Sequence, residues 1–229
     1  MLVNPGLAIP YVRFRDTHLA HHQDSNLTDP YDDPESNYLD PAVWKTMPGW
    51  IRAVRRINNT LAGRIVIGPL IGQVSFMISD LRDIRAGDRQ VLMGWLLHVP
   101  GVIIILLLVA QSPMPLWLYC LCAYVALGVL KIRTFLEHQA HVRARGRTVI
   151  IEDRGPLAFL FLNNNLHMVH HMHPRVPWYQ LPKLYRANKA RYVIRNEGYV
   201  FASYTEVFRR FLLKAKDPVP HPLWSSERK

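Results

Sequence analysis

The chain has 229 residues, 49% hydrophobic and 20% charged, with 28 Lys and Arg against 17 Asp and Glu and a formal net charge of +11. That balance excludes both a disordered chain and a uniformly apolar one. The positive charge is scattered over 52–56, 82–89, 143–147 and 183–195, with no uninterrupted basic run and no nucleic-acid motif, so nucleic acid is not an expected partner. Cationic flanks of membrane segments account for the excess better.

Taken in chain order, the first residues, MLVNPGLAIPYVRFR, do not read as a signal peptide: no charged start is followed by a long apolar core. HLAHH at 18–22 follows, an H-x-x-H-H cluster of His18, His21 and His22. On a helix, positions i, i+3 and i+4 share a face, so the cluster is expected to aim three imidazoles at one spot. Asp16 and Asp24 flank it and are candidates to orient imidazole N–H groups. The acidic stretch DPYDDPES (29–36) is no calcium loop, having two prolines and no central glycine.

Three apolar stretches set the topology. Residues 65–79 are too short and too polar for an unaided span and read as interfacial or re-entrant. Residues 91–110 and 114–130 carry no formal charge and are joined by QSP, with Arg82, Asp83, Arg85, Asp88 and Arg89 before them and Lys131 and Arg133 after. That pattern predicts a transmembrane hairpin over 91–130 with both outer ends in the cytoplasm. His98, inside the first span, is expected to make a helix–helix hydrogen bond. Cys120 and Cys122 lie two apart in the second span, point to different sides of a helix, and imply no disulfide.

RTFLEHQAH (133–141) follows the hairpin. His138 falls about two helical turns beyond the span, which makes it a candidate seventh ligand just below the membrane surface, with His141 a turn further on. Residues 142–155 read as a cytoplasmic loop with strand character at 148–151. Arg143, Arg145 and Arg147 give this loop a basic face suited to an acidic partner. A second H-x-x-H-H cluster, His167, His170 and His171, then appears, preceded by Asn165 and followed by His173, with Pro174 and Pro177 ending its helix. His141 and His173 are expected beside the ligands or at the surface, and Asn165 is a third candidate orienter. Residues 183–213 read as amphipathic helix, and 214–229 as a polar, flexible tail.

Two clusters supply six imidazoles, more than a four-coordinate zinc site uses. They suit a pair of transition metals with mostly nitrogen donors, and iron with open positions is the version that activates oxygen. Both clusters must then lie on one side of the membrane, so an even number of crossings separates them. The hairpin supplies two.

These motifs resemble the membrane fatty acid desaturases. RDTHLAHHQDSNLTDPYDDPES (15–36) is similar to the family's second histidine box with its acidic stretch, RTFLEHQAH to the segment supplying an extra histidine, and NNNLHMVHHMHPRVPWYQLP (163–182) to the third box. The resemblance implies one domain over 1–229, N-terminally incomplete, all-α in class: an integral membrane helical hairpin with a cytosolic helical cap carrying the boxes. It implies that His18, His21, His22, His138, His167, His170 and His171 hold two irons, and that O2 and two electrons introduce a double bond into an acyl chain. The substrate would be a fatty acyl lipid or acyl thioester in the membrane, with the boxes facing the cytoplasm.

The chain carries no haem, flavin, nicotinamide or iron–sulfur motif, so electrons are expected from a ferredoxin or cytochrome. The pattern departs from the family at one point. Members usually have a first box upstream, whereas only 17 residues precede His18 and none is histidine. A truncated start is the reading adopted. A related di-iron hydroxylase or carotenoid ketolase, or an inactive fragment that keeps a structural metal site, are the alternatives.

Overall fold

In the computed structural model, residues 9–23, 27–33 and 35–224 are described. They are mostly helical, as the all-α expectation requires, with one two-residue strand pair. Two compact units are present, residues 1–20 with 65–131, and residues 21–64 with 132–229.

The first unit contains most of α1 (Tyr11–Gln23), α5 (Gly68–Arg85), α6 (Arg89–Ala110) and most of α7 (Leu116–Thr134). Helices α6 and α7 are long and apolar enough to cross a membrane, and only 11% of each span is buried. The core helix of a soluble protein would be mostly buried, and these two are not. Asp88 caps α6 by accepting from the Gln90 and Val91 amides, and Gly87, at φ +94°, makes the preceding turn. The stretch 65–79 falls largely in α5, one uninterrupted helix. Asp80 on α5 is 1% exposed; it accepts from Arg13 Nε and Nη2 at 3.1 and 2.8 Å and from Trp95 Nε1 at 2.7 Å. One satisfied buried carboxylate thus pins α1, α5 and α6 together. On α7, a Cβ at Gly128 would stand 2.7 Å from the Ile65 carbonyl oxygen, so the close approach there requires glycine.

The second unit has α2 (Pro41–Thr46), α3 (Gly49–Asn58) and most of α4 (Leu61–Val66), then β1 (Ile150–Ile151), α8 (Pro156–Leu160) and α9 (His167–Met172). It continues with α10 (Leu181–Ala187), α11 (Lys189–Arg195), β2 (Val200–Phe201) and α12 (Tyr204–Phe211). Strand character at 148–151 condenses to β1, which pairs in parallel with β2, Ile150 with Val200 and Ile151 with Phe201. The partner strand lies inside the stretch expected to be amphipathic helix. That stretch breaks at Asn188, then turns at Glu197 and Gly198, both at positive φ. Ile150, Leu166, Val169, Leu181, Tyr185 and Tyr192 form the core against which α9 is seated. Burying both faces of an Ile-Ile strand is what draws these short helices together.

The segment expected as a flexible tail, 214–229, is described as far as Trp224, where it pairs with other segments of its unit; residues 225–229 lie outside the described residues. Leu39 N–H donates to Val219 O and His221 N–H to Leu39 O, a parallel bridge, while Lys216 N–H donates to Asn59 O. Lys216 Nζ, with a 10% exposed side chain, donates to the carbonyls of Phe135 (3.3 Å) and His138. Polar groups of this segment pair with the backbone of residues 39, 59, 135 and 138.

Candidate metal centre

Three segments of the second unit bring histidines together. The end of α1 carries His21 and His22. His138 lies four residues beyond the end of α7, in an extended segment that bridges to Thr148 rather than on a continuing helix. Helix α9 opens on His167 and carries His170 and His171.

One ligand-quality nitrogen from each of His21, His138, His167 and His171 lies within 4.8 Å of the others. The Nε2 atoms make the contacts: His21 to His138 at 3.0 Å, His138 to His167 at 3.2 Å and His167 to His171 at 3.1 Å. The outward nitrogens are held from behind. His21 Nδ1 is 3.0 Å from Asp33 Oδ1, His167 Nδ1 is 3.1 Å from Asn164 Oδ1, and His138 Nδ1 is 3.4 Å from Thr148 Oγ1. An Nδ1–H donated to Asp33 or Asn164 fixes the tautomer that leaves the Nε2 lone pair pointing inward.

Electrostatics agree with that assignment for His138, His167 and His171. Burial, followed by the crowding of neighbouring imidazoles, pushes His138 and His167 well below the usual histidine range and His171 down to about 2. Burial also works against a charged His21, but the Asp33 hydrogen bond and the carboxylates of Glu35, Asp33 and Glu137 outweigh it and raise that group. Neutral imidazoles with inward lone pairs are metal donors, and His21 would join the other three on losing its Nε2 proton. With a metal–nitrogen bond of about 2.1 Å, nitrogens at right angles stand about 3.0 Å apart. The contacts of 3.0–3.2 Å fit such a set. The residues present therefore fit a transition metal.

Each box is divided between positions instead of aiming all three rings at one spot. His167 and His171 join the first group, whereas the His170 ring meets His22, with centroids 4.7 Å apart and nearly perpendicular. His22 also stacks on His171 at 4.3 Å. The reason is helical geometry: i+3 and i+4 lie about 100° apart around the axis, on opposite sides of i. His18 belongs to the first unit; on the continuous helix α1 it stands four residues before His22, on the face His22 occupies.

Other expected residues fall elsewhere. His141 Nδ1 faces the Arg143 carbonyl and Nε2 lies 3.6 Å from Glu197, while His173 Nε2 pairs with Tyr192 OH at 2.9 Å. Asn165 does not orient a histidine: its Nδ2 donates to the carbonyls of Ile151 and Asp153. Asp16 pairs with Arg15 and Gln90, and Asp24 lies outside the described residues. His98 makes no helix–helix hydrogen bond among the described residues; its ring lies edge-on to Trp95 of its own helix. Arg143 and Arg145, both exposed, bind Glu197, and Arg147 donates to the carbonyls of His141 and Leu27.

Asp33, Glu35, Asn164 and Thr148 stand beside the rings without belonging to either histidine motif, Asp33 and Glu35 within the acidic stretch 29–36. The signal was its position: a turn of carboxylates shortly after a histidine helix can fold back on it. Likewise, the Asn run before the second cluster offers one orienter, at 164 rather than 165.

The sequence family described as fatty acid desaturase matches residues 1–203. Comparison with curated proteins and with solved structures returns no match.

Proposed function

From the premise that this chain belongs to the fatty acid desaturase family, a membrane-bound family of di-iron oxidases, we propose that it introduces a double bond into an acyl chain of a lipid or acyl thioester. The observation that carries this reading is the four-imidazole group of His21, His138, His167 and His171 with His22 and His170 beside it. His21, His138, His167 and His171 would hold one iron. His22 and His170 would hold the other, with His18 brought to the same helix face by its spacing from His22. When bound, the metal pair supplies the redox chemistry by which O2 and two electrons, with two protons, take two hydrogens from adjacent carbons and leave two waters.

The chain's own residues prepare that site. Asp33, Asn164 and Thr148 hold the rings by their outer nitrogens. The Lys216 ammonium fixes the carbonyl of His138 and so the segment carrying its ring. Glu35 Oε2, 3.8 Å from His21 Nε2, places a partly exposed carboxylate at the rim of the group. Electrons would arrive from a ferredoxin or cytochrome at the cytoplasmic face. The test is iron loading of the full chain in lipid, then incubation with acyl substrate, reductant and O2. A new carbon–carbon double bond by mass spectrometry supports the proposal, and an added hydroxyl or keto oxygen instead overturns it. About two irons per chain are expected at the start.

A further inference from the structure

The turn that delivers the second cluster also builds an apolar face with no partner in the described residues. Phe159 is 71% exposed, Leu160 57%, Leu162 43%, Trp178 37% and Tyr179 62%. The Phe159 and Trp178 rings meet edge to face with centroids 6.1 Å apart, and Asn163 Nδ2 donates to the Trp178 carbonyl at 3.3 Å, so α8 and the turn Trp178–Gln180 form one surface. Leu162 and Asn163 both sit at φ +53°. A leucine in the left-handed region is strained, and this one leaves its side chain exposed, so burial within the chain does not offset the strain.

Charge identifies the partner of this face. Residues 154–196 contain no Asp or Glu and seven Lys and Arg. Arg154 precedes α8 by two residues, Arg175 precedes Trp178 by three and Lys183 follows Gln180 by three, and all three are exposed. Trp, Tyr and aliphatic side chains ringed by cations are the composition of a membrane–water interface facing anionic headgroups. The same chain carries two helices apolar enough to cross a bilayer. We propose that the Phe159–Leu160–Leu162–Trp178–Tyr179 face docks on an anionic bilayer surface, with its rings at headgroup depth and the flanking cations on lipid phosphates.

The test uses the full chain reconstituted in phosphatidylcholine vesicles with phosphatidylglycerol. The native thiols are removed by Cys120→Ser and Cys122→Ser, and an environment-sensitive fluorophore is attached at Phe159→Cys or, as a second position, Tyr179→Cys. A separate variant carrying only Cys122→Ser, labelled at Cys120, checks that the same reconstitution inserts the hairpin. Ile194→Cys, at a residue 76% exposed on α11, is the control. Quenching by lipids brominated on the acyl chain near the headgroup is read out, which requires neither metal nor turnover. Labels at 159 and 179 are expected to shift to the blue and lose most of their emission, while the label at 194 stays unquenched. Water-exposed labels at 159 and 179 overturn the proposal. Labels shielded from water yet untouched by brominated chains also overturn it, and place a protein partner or a second copy on this face.

Discussion

His21 Nδ1 lies 3.0 Å from Asp33 Oδ1, and both side chains are out of water. Asp33 is itself anchored, accepting from the amides of Thr28 and Glu35 at 2.8 and 2.9 Å. A carboxylate held this way sets the imidazole's tautomer and orientation. Asp33→Asn keeps the size and removes the charge, and is expected to weaken metal binding about 10–100-fold. Competition titration with a chromophoric chelator measures this, and unchanged affinity would mean that Asp33 does not act through His21.

The division of each box makes a counting prediction. His138→Ala and His170→Ala are expected each to lower iron from about two to about one per chain, and the double variant to remove nearly all of it. Elemental analysis reads the result. If either single variant loses both irons, the two positions are not separable.

Lys216 is buried against carbonyls on either side of the segment entering the site. Lys216→Met leaves the Phe135 and His138 carbonyls and Asp217 without their cation, and should cost about 2–3 kcal/mol of stability. Thermal melting in detergent checks it. An unchanged midpoint would show that the segment over 214–224 contributes no anchoring.

Glu152 gives a pH dependence away from the metal ligands. Burial tends to raise its pKa, but the Lys189 and Tyr185 hydrogen bonds outweigh burial and lower it below the unfolded value of 4.5. A depressed carboxylate contributes stability above its unfolded pKa and loses it as pH falls through the folded one. Stability should therefore decline on acidification below about pH 5, and Glu152→Gln should flatten that limb while lowering stability at pH 7. Melting midpoints from pH 7 down to 3 test both signs.

Two glycines in the apolar helices should behave oppositely. A Cβ at Gly128 meets the Ile65 carbonyl, whereas one at Gly101 meets nothing within 4 Å. Gly128→Ala is expected to destabilise by about 1–3 kcal/mol, and Gly101→Ala to be neutral or slightly stabilising. Paired melts in one detergent separate them.

The sequence by itself determined what depends on local chemistry. Long uncharged runs fixed the two apolar helices to within a few residues, because helix formation over such a run satisfies every backbone polar group without outside partners. The repeated H-x-x-H-H fixed the donor type, because imidazole spacing on a helix is set by 3.6 residues per turn. Tertiary structure alone decided which imidazoles meet. His21 joins His138, His167 and His171 from residues 117 to 150 positions away, and the Asp33 and Asn164 supports depend on how turns fold back. It also decided that 183–213 is broken by a strand and that 214–224 is tied down. Those outcomes rest on long-range backbone pairing and buried polar satisfaction, which composition and periodicity along one segment do not encode.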